Sequence, residues 1–334
     1  MSDLSMGSTE RHRVRRGAIL VHERVLSGQD IAAFGELTGD LGVHHLAGGP
    51  EPPIAQGLLV AALPTKVGGD LSFLGRVMRL DFLRPVVAGQ LVRAQVRVDE
   101  LVRGRRGWDA LLISEVSNQQ GELVMRGEAE GRLSDEFVDE ARRLQAFRVR
   151  AGLDEHCSWL DIVNAVAAIP YGRVAGEDPT DVVASWRGTC STKHELLHAL
   201  LAEGWPELAA NTWHRVYRVD RRLAREMFGA RAAAAVPEPG LVDVHTYLTV
   251  TVGVEPVRVD VTFALREPWT GDDHMQLRCG DGFDVRGGRF PNRTKRELVS
   301  LHCDPAIREP FIAALSEPLA SPPGRVMSRH PRRQ

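Results

Sequence analysis

Residues 91–98 read LVRAQVRV. Val92, Ala94, Val96 and Val98 alternate with Arg93, Gln95 and Arg97. Successive side chains of a strand point to opposite faces, so this run predicts a strand with one covered and one wet face, the pattern of an antiparallel sheet. The full candidate, QLVRAQVRVDELV (90–102), has similar neighbours at 75–86 (GRVMRLDFLRPV), 108–118 (WDALLISEVSN) and 121–133 (GELVMRGEAEGRL). The clusters AGQ, RGRRG and NQQG separate them as turns. Upstream, SGQDIAAFGELTGD (27–40) sets Ser27 and Asp30 at capping-box spacing and Ile31, Phe34 and Leu37 on one helical face. IAQGLLVAALPTKVGG (54–69) predicts a buried helix ended by its glycines.

At 334 residues the chain is long enough for two domains. Its apolar share of 43% and charged share of 26% are those of a soluble globular protein. A net charge of −2 gives no global field that favours nucleic acid or an anionic membrane. No apolar run approaches the ~18 residues of a membrane span, and the start lacks the apolar core of a secretory signal. Cys157, Cys190, Cys279 and Cys303 show no C-x-x-C spacing, against a disulfide framework or a thiolate zinc knuckle and in favour of the reducing cytoplasm. Residues 1–16 and 317–334 are polar, Pro-rich or basic and are expected to be disordered. The expected order is a first domain over 17–133, an exposed helical linker over 134–155 and a second domain over 156–316. In the last, helices near 156–168 and 190–204 precede a strand pair at 241–253 and 255–263, an α+β arrangement.

The stretch FGELTGDLGVHH (34–45) carries Thr38, Gly39, Asp40 and His45. It resembles the S/T-G-D-x-N-P-x-H motif of MaoC-like proteins and (R)-specific enoyl-CoA hydratases, with Gly42 and Val43 in place of Asn-Pro. PPIAQGLL (52–59) is similar to that family's lead into its central helix, and LDFLRPVVAGQLV (80–92) to its F-x-x-P-V-x-x-G-D turn. The resemblance spans roughly residues 17–132 and implies a hot-dog fold, a long antiparallel sheet around a central helix, that pairs as a dimer. It also implies a site in which Asp40 and His45 hold a water while the Gly57 N–H polarises a thioester carbonyl. Adding water to a 2-enoyl thioester needs an acid, a base and donors aimed at the developing enolate. The absent proline leaves the turn carrying His45 without its fixed φ. The alternative is a loop carboxylate and a solvated histidine on a hot-dog that only binds acyl groups.

Residues 186–205, WRGTCSTKHELLHALLAEGW, admit two chemistries. His194, Glu195 and His198 spell the helical zinc signature H-E-x-x-H. It lacks a third ligand: Glu226 has no accompanying downstream Asp, and positions 201 and 204 are Leu and Gly. Cys190, His194 and His198 at successive four-residue steps form another metal-capable face. Cys190 also stands near a helix start, where the dipole favours a thiolate. Downstream come His245 and Tyr247, then Asp260 and Thr262. With Gly188 and Cys190 these resemble the transglutaminase-like superfamily, where G-x-C is followed by H-a-W/Y on one strand and D-x-T on the next. The resemblance spans roughly residues 156–265 and implies a papain-like fold, a Cys190 nucleophile, a His245 base oriented by Asp260, and no metal. Strand alternation can aim both partners from one face, and His194 and Glu195 become helix-surface residues.

Together these readings predict a two-domain α+β enzyme of acyl-thioester metabolism. One half hydrates or dehydrates a 2-enoyl or 3-hydroxyacyl thioester; the other performs cysteine-dependent acyl transfer to an amine or to water. Coenzyme A or phosphopantetheine enters as part of the substrate, with no separate cofactor. The expected partners are acyl-CoA or an acyl carrier protein, an amine acceptor and a second copy of the chain, with no nucleic acid and no membrane. Two alternatives stay open: a cysteine peptidase or amidase with a dimerising or acyl-sensing hot-dog, and a non-catalytic acyl-binding protein.

Overall fold

In the computed structural model, which describes residues 13–48, 51–104, 107–139, 143–176 and 178–316, the alternating run becomes the inner part of a five-stranded antiparallel sheet. The elements before it are β1 (Ile19–Val25), α1 (Gly28–Thr38), α2 (Gly57–Asp70) and β2 (Leu74–Phe82). The rest of the sheet is β3 (Leu91–Arg103), β4 (Trp108–Asn118) and β5 (Leu123–Leu133), in the order β1-β3-β4-β5-β2. Val92, Ala94, Val96 and Val98 of β3 are buried, as the alternation requires. On the wet face Arg93 pairs with Glu23, its register partner on β1, at 2.6 Å.

The expected capping box opens α1: Ser27 Oγ accepts the Asp30 N–H at 3.1 Å, and the Asp30 carboxylate accepts the Ser27 N–H at 2.9 Å. The helix buries Ile31 and Gly35 but leaves Leu37 83% exposed, so its apolar stripe is narrower than expected. It ends at Gly39, which takes a left-handed φ of 77° and sends its N–H to Gly35 O, placing Asp40 directly after the turn. Val60, Ala61 and Leu63 of α2 pack with Leu26, Ile31, Val92 and Met125 in one core, so the expected sheet and central helix are both present. Two details differ. Leu58 faces outward, and α2 runs through Gly68 and Gly69 because neither takes the positive φ that ends a helix. β1, an edge strand with mostly exposed side chains, carries too little alternation to be read from sequence.

The chain divides into two compact units, Met1–Arg143 with Gly176–Asp178 and Leu144–Ala175 with Pro179–Gln334. The second begins around α3 (Arg143–Ala151), then α4 (Trp159–Ala168), α5 (Pro179–Ser185) and α6 (Cys190–Gly204). There follow β6 (Asn211–Val219), α7 (Arg221–Phe228), α8 (Ala230–Ala234), β7 (Leu241–Val252) and β8 (Glu255–Val259). β9 (Gly282–Arg286), α9 (Pro291–His302) and α10 (Pro305–Ser316) complete it. Its antiparallel sheet has the order β8-β7-β6-β9, so the chain is mixed α+β as expected. Ile162 and Val166 of α4 and Leu197 and Leu201 of α6 pack against Leu248 and Val250 of β7 in one core.

Several expectations need correction. β6 and β9 flank a sheet that the sequence reading limits to one strand pair, and β8 stops at Val259 instead of reaching Phe263. The segment 134–155 is no exposed linker: Phe137 belongs to the core of the first unit, and Leu144 and Phe147 belong to that of the second. Val14, inside the stretch expected to be disordered, is buried and bridges Val138. Residues 1–12 and 317–334 lie outside the described residues.

Loss of the α1 cap tests this local account. Ser27→Ala should lower stability to urea by about 1 kcal/mol, the usual worth of a capping side chain. An unchanged urea midpoint would show that the box does not hold the helix that precedes Asp40.

Candidate active sites

Cys190 is the first residue of α6, with Thr189 as its cap: Thr192 Oγ1 accepts the Thr189 N–H at 2.9 Å. The sulfur therefore lies at the positive end of a 15-residue helix, half-buried. His245 sits inside β7, opposite Arg215 of β6. The β7–β8 register ends with Leu248 against Val259; one step further sets Asp260 opposite Tyr247, two residues from His245 on the same face. His245 Nε2–H accordingly donates to Asp260 Oδ2 at 2.8 Å. The other ring nitrogen, Nδ1, is not engaged by Asp260, and the His245 side chain interacts electrostatically with Cys190. Asp260 further accepts the Thr262 N–H at 3.0 Å, the Thr262 hydroxyl at 2.6 Å and the Arg278 N–H at 2.7 Å.

Burial pushes the Cys190 thiol up, but the charges of Lys295 and His245 and the His245 hydrogen bond outweigh it and bring the thiol down to about 6. Burial pulls His245 down, yet the Asp260 carboxylate and Cys190 raise it to about 10. Burial also works against an ionised Asp260, and the His245 charge and hydrogen bond hold it well below the usual carboxylate range. At neutral pH these directions give a thiolate, an imidazolium and a carboxylate in series.

Lys295, on α9, is the functional side chain that sequence reading misses. Its Nζ lies 3.4 Å from Cys190 Sγ and donates to Ser191 Oγ at 2.6 Å and Thr246 Oγ1 at 2.9 Å. It is 9% exposed. In PNRTKREL (291–298) it looks like any lysine of a charged helix, and no spacing marks it.

The expectation that His194 lies on the helix surface is wrong. His194 is fully buried: its Nδ1–H donates to Cys190 O at 2.6 Å and its Nε2 accepts the Val261 N–H at 3.0 Å. Burial brings it down to about 4, so it stays neutral. Glu195 is half-buried, and burial also lowers His198. Among the described residues no group of three His, Cys, Asp or Glu side chains is disposed to hold a metal ion. Lys193, also fully buried, donates to the carbonyls of Ala167, Ile169 and Thr262 at 2.7–3.1 Å. Burial draws it down to about 7.

In the first unit, a 3-10 turn over Val43–His45, closed by the His45 N–H to Gly42 O at 2.8 Å, carries His45 without the proline. Its Nδ1–H donates to Ile54 O at 2.6 Å, and Nε2 lies 3.6 Å from Asp40 Oδ2. His45 is buried and Asp40 half-exposed. Gln56 Nε2 ties the start of α2 to Asp40 O at 3.4 Å and to Ile31 O at 3.1 Å. Gly57 is the first residue of α2, where N–H groups lack helical partners. A Cβ there would stand 3.1 Å from the Phe82 ring. His45, Gly57, Val60, Phe82, Val86 and Val124 line a cavity of about 430 Å³.

No family model matches the chain, and no curated protein matches it. Among solved structures it is similar to the R-hydratase PhaJ1 from Pseudomonas aeruginosa, at 24% identity over 36% of this chain and 83% of that one, with a TM-score of 0.33. It is also similar to the (R)-hydratase from A. caviae involved in PHA biosynthesis, at 28% identity over 36% and 97%, TM-score 0.33. A MaoC-like dehydratase from Rhodospirillum rubrum matches at 17% identity over 36% and 93%, TM-score 0.31.

The sulfur's electrostatics set a pH profile. Because the thiolate is the nucleophile, alkylation of Cys190 by iodoacetamide should rise with pH around 6 and level off by neutrality. Cys279 and Cys303, whose thiols burial pushes up, should stay unmodified over that range. Mass mapping of the alkylated sites checks both; a rise at Cys190 only near the free-thiol value of ~8.5 would mean no thiolate is held.

Proposed function

We propose that this protein is an acyl-thioester enzyme with a water-adding or water-removing site in its first unit and a cysteine acyltransferase site in its second. The carrying observation is the ionic series at Cys190: a carboxylate 2.8 Å from His245 Nε2, and a lysine 3.4 Å from the sulfur. In the proposed reaction the thiolate attacks the carbonyl carbon of an acyl thioester. A C–S bond forms, the carbonyl electrons move to oxygen, and collapse breaks the bond to the carrier sulfur. His245 gives that leaving thiolate its proton and becomes the neutral base that activates an amine or water. Asp260 keeps Nε2–H engaged so that Nδ1 carries out these transfers.

For the first unit, the support is His45 Nε2 lying 3.6 Å from Asp40 Oδ2, together with the cavity that His45 and Gly57 share. A water held by the two side chains would lose a proton to one of them as its oxygen bonds to Cβ of a 2-enoyl thioester. The Gly57 N–H would receive the enolate oxygen, and the same side chain would return the proton to Cα. The same site run backwards dehydrates a 3-hydroxyacyl thioester. Pantetheine as the carrier arm follows from the sequence resemblance. Dimerisation is proposed on the edge strand β2, where Leu74, Met78 and Phe82 are exposed.

A panel of acyl-CoA and acyl-carrier thioesters, read by intact-protein mass, tests the second unit: wild-type should gain one acyl mass and Cys190→Ala none. Peptide cleavage without any acyl adduct would instead support the cysteine peptidase. For the first unit, hydration of a crotonyl-type thioester should fall by about 10²–10⁴ in Asp40→Asn and in His45→Ala, with acylation of Cys190 unaffected. Wild-type protein that hydrates no 2-enoyl thioester would leave only acyl binding there.

A further inference from the structure

The Cys-His-Asp series leaves Lys295 unexplained, and its surroundings define what it can do. An ammonium has three protons. Those of Lys295 go to Ser191 Oγ, Thr246 Oγ1 and Cys190 Sγ. Among the described residues no carboxylate pairs with it, so its only anionic contact is the nucleophile. The surrounding hydrogen bonds fix this orientation. His214 Nε2 lies 2.8 Å from Pro291 O, which can only accept, so Nε2 carries the proton. Burial draws His214 down to about 3, so Nδ1 is a bare acceptor, and Thr246 Oγ1, 3.2 Å away, must give it the hydroxyl proton. Thr246 can then only accept from Lys295. Pro291 is the first residue of α9, the helix that carries Lys295, so His214 braces both the acceptor and the helix.

We propose that Lys295 is a catalytic residue whose ammonium pairs with the Cys190 thiolate at rest and with the acyl oxyanion once the sulfur is bonded to carbon. The inference rests on the acyl-transfer reading of Cys190. As the C–S bond forms, negative charge leaves sulfur for the carbonyl oxygen one carbon away. The proton aimed at Sγ turns to that oxygen and stays on nitrogen throughout; the proton for the leaving thiolate comes from His245. Lys295 thus follows the charge as it moves, with the N–H groups at the start of α6 as its companions.

The test uses the full-length protein with Lys295→Met and Lys295→Gln, the second keeping a neutral donor if the first does not fold. Iodoacetamide alkylation of Cys190 is read against pH. Each variant should move the midpoint upward by at least one pH unit, making alkylation at pH 6 at least about fivefold slower than in wild-type. At pH 9, where the free thiol also ionises, acylation by a thioester should still be slower by on the order of 10² in Lys295→Met, because the oxyanion has lost a donor, and less so in Lys295→Gln. An unchanged alkylation midpoint in whichever variant folds would overturn the thiolate pairing. Wild-type acylation rates at pH 9 in Lys295→Met, or in Lys295→Gln if only that variant folds, would overturn the oxyanion role. A wild-type protein that alkylates near pH 6 but is acylated by no thioester would refute the acyl-transfer reading, leaving the ion pair in place.

Discussion

Asp260 is an ionised carboxylate with essentially no contact with water, and the second unit is organised around replacing that water. Moving such an ion out of solvent costs several kcal/mol unless hydrogen bonds and an opposite charge return the energy. Here the imidazolium of His245, two donors from Thr262 and the Arg278 N–H do so. This explains why β8 stops at Val259. The N–H groups of Val261 and Thr262 go to His194 and to Asp260, so none is left to continue the ladder. The strand end follows from the site's own hydrogen bonds.

The same requirement gives α6 an unusual inward face. Lys193 and His194, adjacent in sequence, are both fully buried beside Leu196 and Leu197. One holds three carbonyls from the flanking segments; the other joins the Cys190 carbonyl to the segment that follows Asp260. In an H-E-x-x-H zinc site the first histidine needs a free lone pair, but here that lone pair is committed to a backbone N–H. The letters of the motif are present, and packing has given them a structural task.

Much of this was legible in the sequence, for identifiable reasons. Strand alternation at 91–98, the capping box at Ser27 and Asp30, and the order Cys190, His245, Asp260 each depend on short local patterns or on a recognisable spacing. What stayed hidden depends on tertiary neighbours. Lys295 lies 105 positions from Cys190, in a helix whose charged letters suggest only solvent. Burial of His194 stayed hidden because two polar letters, Lys193 and His194, share the buried face with Leu196, Leu197, Leu200 and Leu201, which blurs the apolar pattern. β1 is an edge strand with largely exposed side chains, so a period-two signal decides little there.

The four charged groups at Cys190 have one more consequence. Thiolate and Asp260 carry two negative charges, Lys295 and the imidazolium two positive ones, so the resting centre is neutral as a set. In the acyl transfer we propose, loss of the carrier as a thiol would leave an uncharged thioester and imidazole, with Lys295 balancing Asp260. The sum is again zero. A buried region pays heavily for any change in its total charge, because little solvent is present to compensate. With a lysine beside a proton-donating histidine, both stable states of that proposed cycle would conserve the total, and only the oxyanion would shift charge, across a single carbon atom.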